Sequence, residues 1–198
     1  LNNIMKICLI GKNLTNYVLA KNLASKNLNV EIIHNNKNVK KFTNRTLAIS
    51  RDNFDFLHKT NKKMNISSWP IKNIKIFSGQ KKSKQLFEFK NKNIENFFLI
   101  QYNDILSFFE NTCKKNKNIK VKYFKDSSKI ECLYEKNNYN IIINSDSNLK
   151  LKSKYLKKKT EKNYNSIAYS GIIHHEKIKN NIAIQIFTKF GPLAFLPM

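Results

Sequence analysis

The amino-terminal part of the chain alternates between short apolar runs and a helical spacing of apolar residues. Residues 7–10 form an apolar run that ends at Gly11. Residues 15–24 then place apolar side chains three and four positions apart, which predicts a helix with one buried face. Residues 30–34 are a second apolar run. This order predicts a βαβ unit in which Gly11 lies at the turn between the first strand and the helix.

The next part of the chain mixes polar loops with short regular segments. We expect residues 35–43 to form a polar loop. Residues 45–50 lead into a helix that Ser50 can cap. Trp69-Pro70 interrupts the pattern, and residues 74–78 and 86–89 alternate as two strands joined by a turn at Gly79. The alternation predicts an antiparallel hairpin outside the βαβ layer.

Apolar spacing then returns to the βαβ pattern before the chain changes character. Residues 102–115 have helical spacing, and residues 119–123 and 141–146 predict strands. The second of these is a continuous apolar run of the kind buried in a parallel sheet. Three further strands are predicted near the carboxyl end, which indicates a second, antiparallel unit; they span 167–174, 182–188 and 192–198.

Composition favours a folded protein over a disordered polycation. The 198 residues are 41% hydrophobic and 12% aromatic, and the net charge is +24. The lysines are spread along the whole chain, and the only arginines are Arg45 and Arg51. Specific nucleic-acid binding favours clustered charge and arginine, so we do not expect a nucleic-acid partner. The charge still predicts nonspecific attraction to anionic surfaces.

Cysteine and histidine positions give no sign of a disulfide framework or a metal centre. Cys8, Cys113 and Cys132 lie far apart with no C-x-x-C spacing, which is typical of a reducing cytosol. His174 and His175 would point to opposite faces of the predicted strand, so no metal site is expected. No apolar run approaches the roughly 18 residues of a membrane span. Because the chain stops inside an apolar run at residues 195–198, we expect an incomplete protein.

The Gly11 turn is the candidate site for an anionic cofactor. A helix that starts after a strand aims its free N–H groups and positive dipole end at a bound phosphate. The dinucleotide pattern G-x-G-x-x-G would place glycines at 11, 13 and 16, but Asn13 and Asn16 occupy the last two. We expect Asn13 to adopt a left-handed backbone. We expect Asn16 either to widen the gap between helix and strand or to shift the helix. His34 stands where a ribose-binding acid would, so an α/β unit without a nucleotide is the alternative.

The order of these features resembles the flavin-dependent aromatic hydroxylases, and within them the ubiquinone-biosynthesis hydroxylases. Residues 183–197 carry the most specific resemblance, since family members have a similar A-x-Q-x-F stretch followed by G-P-L-A-x-L-P. The weaker blocks are the Gly11 turn, residues 45–50 (RTLAIS), residues 69–71 (WPI) and residues 146–148 (DSN). The resemblance covers the whole chain but only about the first half of a family member.

The family implies an α/β fold for this chain. The resemblance implies a Rossmann-like FAD-binding βαβ layer with an inserted antiparallel β-sheet substrate domain, which we expect to be truncated in this chain. The implied FAD-binding domain covers residues 1–70 and 95–163. The implied substrate domain covers residues 71–94 and 164–198 and is incomplete at its carboxyl end.

The resemblance also implies a set of site residues. Arg45 matches an arginine that approaches the flavin, and Asp146 matches the aspartate of a D-G motif whose glycine is Ser147 here. The implied cofactor-binding residues are Gly11, Asn13, Leu14, Thr15, Arg45, Gln101 and Asp146. The implied substrate-binding residues are Pro192, Leu193 and Phe195. No catalytic residue is assigned, because the chemistry requires no nucleophile and base.

The activity implied is hydroxylation of an aromatic ring in a ubiquinone precursor, with FAD as cofactor, NAD(P)H as reductant and O₂ as co-substrate. The substrate would be a polyprenylated phenol, and the protein would be cytoplasmic and peripheral to the inner membrane. It would contact anionic lipid or other ubiquinone-biosynthesis proteins. Two alternatives stay open: a non-catalytic relative that has lost flavin, and a basic module that binds nucleic acid or anionic membrane.

Overall fold

A computed structural model of the chain describes residues 5–35, 45–79, 84–90, 94–134, 138–146, 160, 162–176, 178 and 180–198. The chain divides into two compact units. The first is Leu1–Lys41 with Leu106–Ser170, and the second is Phe42–Ile105 with Gly171–Met198. The elements in chain order are β1 (Lys6–Ile10), α1 (Leu14–Ser25), β2 (Asn29–His34), β3 (Thr46–Ser50), α2 (Arg51–Thr60), β4 (Ser68–Ile71), β5 (Asn73–Ser78), β6 (Lys84–Lys90), β7 (Phe97–Gln101), α3 (Tyr102–Lys114), β8 (Ile119–Tyr123), α4 (Ser127–Glu131), a 3₁₀ turn (Cys132–Tyr134), β9 (Ile141–Asn144), β10 (Ile182–Thr188) and β11 (Gly191–Phe195).

The first unit is built on a parallel sheet with strand order β8-β2-β1-β9. All three pairings are parallel, as the βαβ pattern predicts. The helix α1 turns Tyr17, Ala20 and Ala24 inward at intervals of three and four residues, which accounts for its apolar spacing. On α3, Phe109 and Cys113 are fully buried. The predicted βαβ layer is therefore confirmed.

The strand β9 is less buried than its sequence predicts. Ile141 and Ile143 are exposed, although the run of apolar residues is typical of a central strand. The reason is position: within the described residues β9 pairs with β1 alone and forms one edge of the sheet. An edge strand has a neighbouring strand on one side only, so its side chains are covered less than those of a central strand. The apolar run therefore did not predict the burial of β9 correctly.

The second unit contains two sheets. Strands β3, β7 and β4 form one, with β7 in the centre and both pairings antiparallel. Residues 97–101 were not predicted as a strand, and Leu99 and Ile100 are fully buried there. Pro70 lies within β4 rather than ending a segment. It fits because β4 is an edge strand, where a missing N–H is tolerated.

The other sheet of the second unit has the order β11-β10-β5-β6. Both hairpins are antiparallel, β5 with β6 and β10 with β11. One parallel pairing, β10 with β5, joins the two hairpins, so the sheet is mixed. The predicted strand at residues 167–174 is wrong, because the described residues 162–175 form no regular strand. Ile167 and Tyr169 are 79% and 90% exposed, so the apolar run has nothing to pack against within the described residues.

The predicted fold class is confirmed: a parallel α/β layer is combined with antiparallel strand pairs. The predicted domain boundaries stay a prediction. Within the described residues, β3, β4 and β7 pair with one another and fall in the second compact unit. The predicted polar loop covers residues 35–43, and from residue 36 onwards it lies outside the described residues. Among the helices that the structure describes, none combines the length and apolarity needed to cross a membrane.

Candidate functional site

The turn after β1 is centred on Gly11, which has φ +118°. A side chain is strained at that φ, so glycine is required for the backbone conformation. The Gly11 N–H donates to Ile33 O at 2.8 Å, which ties the turn to the end of β2. The turn therefore lies where the carboxyl ends of parallel strands meet, the usual location of a ligand in such sheets.

Asn13 caps the helix that follows the turn. Its backbone is extended (φ −149°), so the left-handed conformation expected from the sequence is wrong. The reason is its place as N-cap of α1, where an extended backbone lets the side chain fold back onto the first turn. Asn13 Oδ1 accepts the Asn16 N–H at 3.0 Å, and Asn13 Nδ2 donates to Ser145 Oγ at 2.7 Å.

Asn16 occupies the third glycine position of the pattern and connects the helix to the strand. It is 1% exposed, and its Nδ2 donates to Gly11 O at 2.8 Å and to Ile10 O at 3.1 Å. These bonds satisfy two backbone carbonyls at the end of β1. With a glycine at position 16, the same carbonyls would need other donors. Asn16 is thus accommodated by hydrogen bonding to the strand it was expected to hold away.

The end of β9 lies beside the same turn. Ser145 Oγ donates to Ile10 O at 3.0 Å, and the Ser145 N–H donates to the same carbonyl at 3.0 Å. A Cβ built on Gly11 would lie 3.0 Å from Ser145 Oγ, 3.1 Å from Asn13 Nδ2 and 3.3 Å from Asp146 N. The structure therefore brings together five of the predicted site residues: Gly11, Asn13, Leu14, Thr15 and Asp146.

Donors remain at the start of α1 after these contacts are made. Leu14 and Thr15 are the first two helical residues, so their N–H groups have no carbonyl partner within the helix. Thr15 is exposed and Leu14 is half-buried. Lys12 is occupied, since its Nζ lies 3.1 Å from Glu110 Oε1. The pKa of the Glu110 carboxyl lies below its ordinary value, because hydrogen bonds from Lys114 and Lys12 outweigh the effect of burial.

Arg45 and Gln101 belong to the second unit and are neighbours there. Gln101 pairs with Thr46 across β3 and β7, and the Tyr102 N–H donates to Arg45 O at 2.9 Å. The Arg45 guanidinium carbon lies 4.5 Å from the centre of the Tyr102 ring. This cation–π contact orients a planar group suited to phosphate or carbonyl oxygens.

The three predicted substrate-binding residues lie on one short strand of the second unit. Pro192, Leu193 and Phe195 are in β11 and are all exposed. Leu193 pairs with Ile186 and Phe195 with Ile184, so their side chains share one face of the mixed sheet, whereas Pro192 belongs to the opposite face. The structure therefore places two of the three on a common apolar face.

Sequence reasoning missed a buried carboxylate in the parallel sheet. Glu31 on β2 is 4% exposed; Lys122 Nζ lies 2.8 Å and Lys6 Nζ 3.3 Å from its oxygens, and Tyr139 Oη donates to it at 2.6 Å. Burial raises the Glu31 pKa, but the hydrogen bonds from Lys122 and Tyr139 outweigh it, so the pKa lies below its ordinary value. The lone acid within the apolar run 30–33 was the available signal.

The Glu31 carboxylate also affects Cys8, which pairs with Glu31 across β1 and β2. Burial, and secondly the Glu31 charge, raise the pKa of the Cys8 thiol to about 12. Burial also raises the pKa of the Cys113 thiol to about 12. Cys132 is exposed. The two buried thiols are therefore protonated at neutral pH and unsuited to act as nucleophiles.

Comparison with known proteins gives likenesses of structure alone. No family model and no curated protein matches the sequence. Among solved structures, PqsL of Pseudomonas aeruginosa in complex with 2-aminobenzoylacetate aligns with 61% of this chain and 34% of its own, at 8% identity and a TM-score of 0.49. p-Nitrophenol 4-monooxygenase PnpA of Pseudomonas putida DLL-E4 aligns with 61% of this chain and 32% of its own, at 12% identity and a TM-score of 0.47.

A third likeness is to 2,6-dihydroxypyridine-3-hydroxylase of Arthrobacter nicotinovorans, over 60% of this chain and 29% of that one, at 8% identity and a TM-score of 0.46. The matched region is about a third of the length of these enzymes. Scores and identities this low assign no family, so the function rests on the residues of the site.

The site can be tested for its fit to a flavin dinucleotide. The first-turn N–H groups of Leu14 and Thr15 fit a phosphate, and Gly11 lets the backbone turn beneath it. The end of β2 carries His34, which is 6% exposed, in place of a ribose-binding carboxylate. The backbone of the turn therefore fits a diphosphate, while Asn13 and Ser145 narrow the space beside Gly11.

Proposed function

We propose that the chain is part of a flavin-dependent monooxygenase that hydroxylates an aromatic ring. The observation that carries the proposal is the Gly11 turn, which delivers the free first-turn N–H groups of α1 to the carboxyl edge of a parallel sheet. A Cβ built on Gly11 would lie 3.3 Å from Asp146 N, which supports the cofactor role that the resemblance implies for Asp146. The sequence block at residues 183–197 supports the choice of an aromatic hydroxylase among flavin enzymes.

In this proposal each group of residues has a stated role. The N–H groups of Leu14 and Thr15 hold the diphosphate. The role of Arg45 towards the flavin cofactor is taken from the resemblance alone. Leu193 and Phe195 offer an apolar surface to an aromatic ring. When bound, reduced flavin supplies the activation of O₂, and NAD(P)H supplies the electrons. The protein contributes positioning and exclusion of water rather than a nucleophile.

The finer proposal concerns the substrate. We propose a polyprenylated phenol that is a precursor of ubiquinone, because the blocks at residues 45–50 and 183–197 resemble the ubiquinone-biosynthesis hydroxylases within the wider family. Such a substrate resides in a membrane. The net charge of +24 would attract the protein to an anionic membrane surface, which supports a peripheral location at the inner membrane.

Titration with FAD tests the cofactor. The purified protein is mixed with FAD, and the quenching of flavin fluorescence gives a Kd; we expect saturable binding. Arg45→Ala should weaken it, whereas Arg51→Ala, the matched change at the other arginine of the chain, should leave the Kd unchanged. Arg51 is paired with Glu95, so its loss affects the stability of α2 rather than the cofactor. No uptake of FAD by the folded wild-type protein would refute the proposal.

A second experiment tests the reaction and substrate. NADH or NADPH oxidation is followed with FAD-loaded protein, with and without a short-chain polyprenylated phenol. We expect the phenol to speed the oxidation and to gain one oxygen atom, read by mass spectrometry. The same prenyl chain on a ring without a hydroxyl group is the control. Oxidation that the phenol does not alter would refute the substrate and leave the cofactor proposal standing.

One observation favours a second candidate, a non-catalytic relative that no longer binds flavin. Asn13 Nδ2 and Ser145 Oγ contact each other at 2.7 Å beside Gly11, in space that a glycine at position 13 would leave open. Absence of FAD binding combined with a native far-UV spectrum would favour this candidate.

A further inference from the structure

We propose that Asn13 and Ser145 form a latch across the Gly11 turn that competes with a diphosphate, so that the chain holds its cofactor less tightly than its backbone permits. The Asn13–Ser145 latch is defined by these two side chains and the hydrogen bond between them. The inference rests on the proposed function, since it concerns the same cofactor, and it adds a residue-level control of cofactor affinity.

The latch joins three elements. Asn13 Oδ1 accepts the N–H of Asn16 at 3.0 Å, on the first turn of α1. Asn13 Nδ2 donates to Ser145 Oγ at 2.7 Å, after the end of β9. Ser145 Oγ in turn donates to Ile10 O at 3.0 Å, at the end of β1. Both ends of the Asn13 carboxamide are therefore engaged by partners within the chain.

The latch also occupies space beside the glycine. A methyl group placed on Gly11 would lie 3.0 Å from Ser145 Oγ and 3.1 Å from Asn13 Nδ2, closer than ordinary van der Waals contact. A ligand atom at that position would meet the same two side chains. With glycine at position 13 and no hydroxyl at position 145, the space would be open to the backbone of the turn.

The competition follows from the donors involved. An anion at a helix start is held by the first free N–H groups, and the Asn16 N–H is one of the four that the helix leaves unpaired. Asn13 Oδ1 already accepts it. A diphosphate that uses this donor must displace a hydrogen bond, and it must also move Asn13 away from Ser145. Each displaced bond lowers the affinity of the ligand.

Three variants separate the parts of the latch. Asn13→Gly removes the cap and the bridge, and glycine is tolerated at an N-cap at little cost to stability. Asn13→Ser keeps a good cap but is too short to reach Ser145, so only the bridge is lost. Asn22→Ala is the matched control: it lies on the same helix, and its Nδ2 donates to Val18 O at 2.9 Å, away from the turn.

The readout is the Kd for FAD from flavin fluorescence, with far-UV circular dichroism to show that each variant is folded. We expect Asn13→Gly to bind FAD about tenfold more tightly than the wild type. Asn13→Ser should bind a few-fold more tightly, and Asn22→Ala should match the wild type.

The outcomes distinguish the latch from the proposed function. If the wild type binds FAD and neither Asn13 variant binds more tightly, the latch is refuted and the proposed cofactor stands. If Asn13→Gly binds FAD and the wild type does not, the latch is supported and the natural chain is not a flavoprotein. If no folded variant binds FAD, both proposals are refuted.

Discussion

At the scale of single residues, amide side chains occupy the positions at which the βαβ turn was expected to need glycine. Asn16 donates to two strand-end carbonyls, and Asn13 caps the helix with an extended backbone. Sequence spacing located the turn, and the resemblance implied that Asp146 lies near the cofactor, but the N-cap role of Asn13 was not predicted. Spacing did not predict the two side-chain conformations, because these depend on Ser145, which follows β9, and on Ile10 at the end of β1.

Gly11 is needed for two reasons, its positive φ and the lack of space for a Cβ. A matched pair of substitutions separates the two. Gly11 and Gly191 both have positive φ, at +118° and +128°, but a Cβ on Gly191 would meet nothing within 4 Å. Gly191→Ala should cost only the strain of the backbone, about 1–2 kcal/mol. Gly11→Ala should cost more, because its Cβ also crowds Ser145 and Asp146. Urea unfolding of both variants measures the difference, and equal losses would show that crowding at the turn is unimportant.

Glu31 gives the protein an acid-sensitive interaction. Its pKa is lowered by folding, so the stabilisation is fully present above the ordinary carboxyl pKa of about 4.3 and is lost as the pH falls through the lower folded value. Tyr139→Phe removes the 2.6 Å hydrogen bond and should lower the free energy of unfolding by about 2 kcal/mol at pH 7. The loss should shrink as the pH is lowered towards the folded pKa.

The pH dependence has its own control. Glu31→Gln cannot titrate, so its free energy of unfolding should vary less between about pH 5 and pH 3 than that of the wild type. Chemical unfolding at a series of pH values measures both curves. Parallel curves for the two proteins over this range would contradict the assignment of acid sensitivity to Glu31.

At the scale of elements, periodicity predicted the segments that bury one face against a neighbour. β1, α1, β2, α3 and β8 were predicted from local spacing. The three strands pair in the parallel sheet, and both helices bury one face. The failures share a cause, since strand position in a sheet depends on distant partners. Among the residues that the structure describes, β9 is an exposed edge and residues 167–174 have no strand partner. β7 gained its central place by pairing with β3 and β4.

A close backbone approach fixes the end of β5 against β10. The Gly79 N–H donates to Phe187 O at 2.7 Å, and a Cβ on Gly79 would lie 2.8 Å from that oxygen. Gly79→Ala should therefore force the strands apart and lower the free energy of unfolding by about 1–3 kcal/mol. Gly171→Ala is the matched control, because nothing lies within 4 Å of its Cβ. Thermal unfolding compares the two, and equal melting temperatures would contradict the close approach.

At the scale of the whole molecule, composition alone gives the net charge and predicts how the protein interacts with polyanions. The net charge is +24, and lysine supplies nearly all of the positive charge. Lysine is a flexible point charge with little power to read bases, so the charge favours attraction to any polyanion over sequence recognition. The fold class could be inferred from the chain. Cofactor binding could not, because the backbone donors of Leu14 and Thr15 favour a diphosphate, whereas the Asn13 side chain takes up space beside Gly11.

Salt dependence tests this view of the charge. We expect single-stranded DNA oligonucleotides of different sequence to bind with similar Kd values, measured by fluorescence anisotropy. The affinity should fall by more than about tenfold between 50 mM and 200 mM salt, because binding releases counterions. A preference of more than about tenfold for one sequence at 200 mM salt would instead favour the nucleic-acid module.

Two of the three cysteines are buried, so the rate at which a reagent modifies them measures local opening of the native structure. A thiol reagent at neutral pH should modify Cys132 at once. Cys8 on β1 and Cys113 on α3 should react only when the structure opens around them. The modification rates of the two buried thiols would thus compare local opening at β1 with local opening at α3. No cysteine has to be introduced for this measurement.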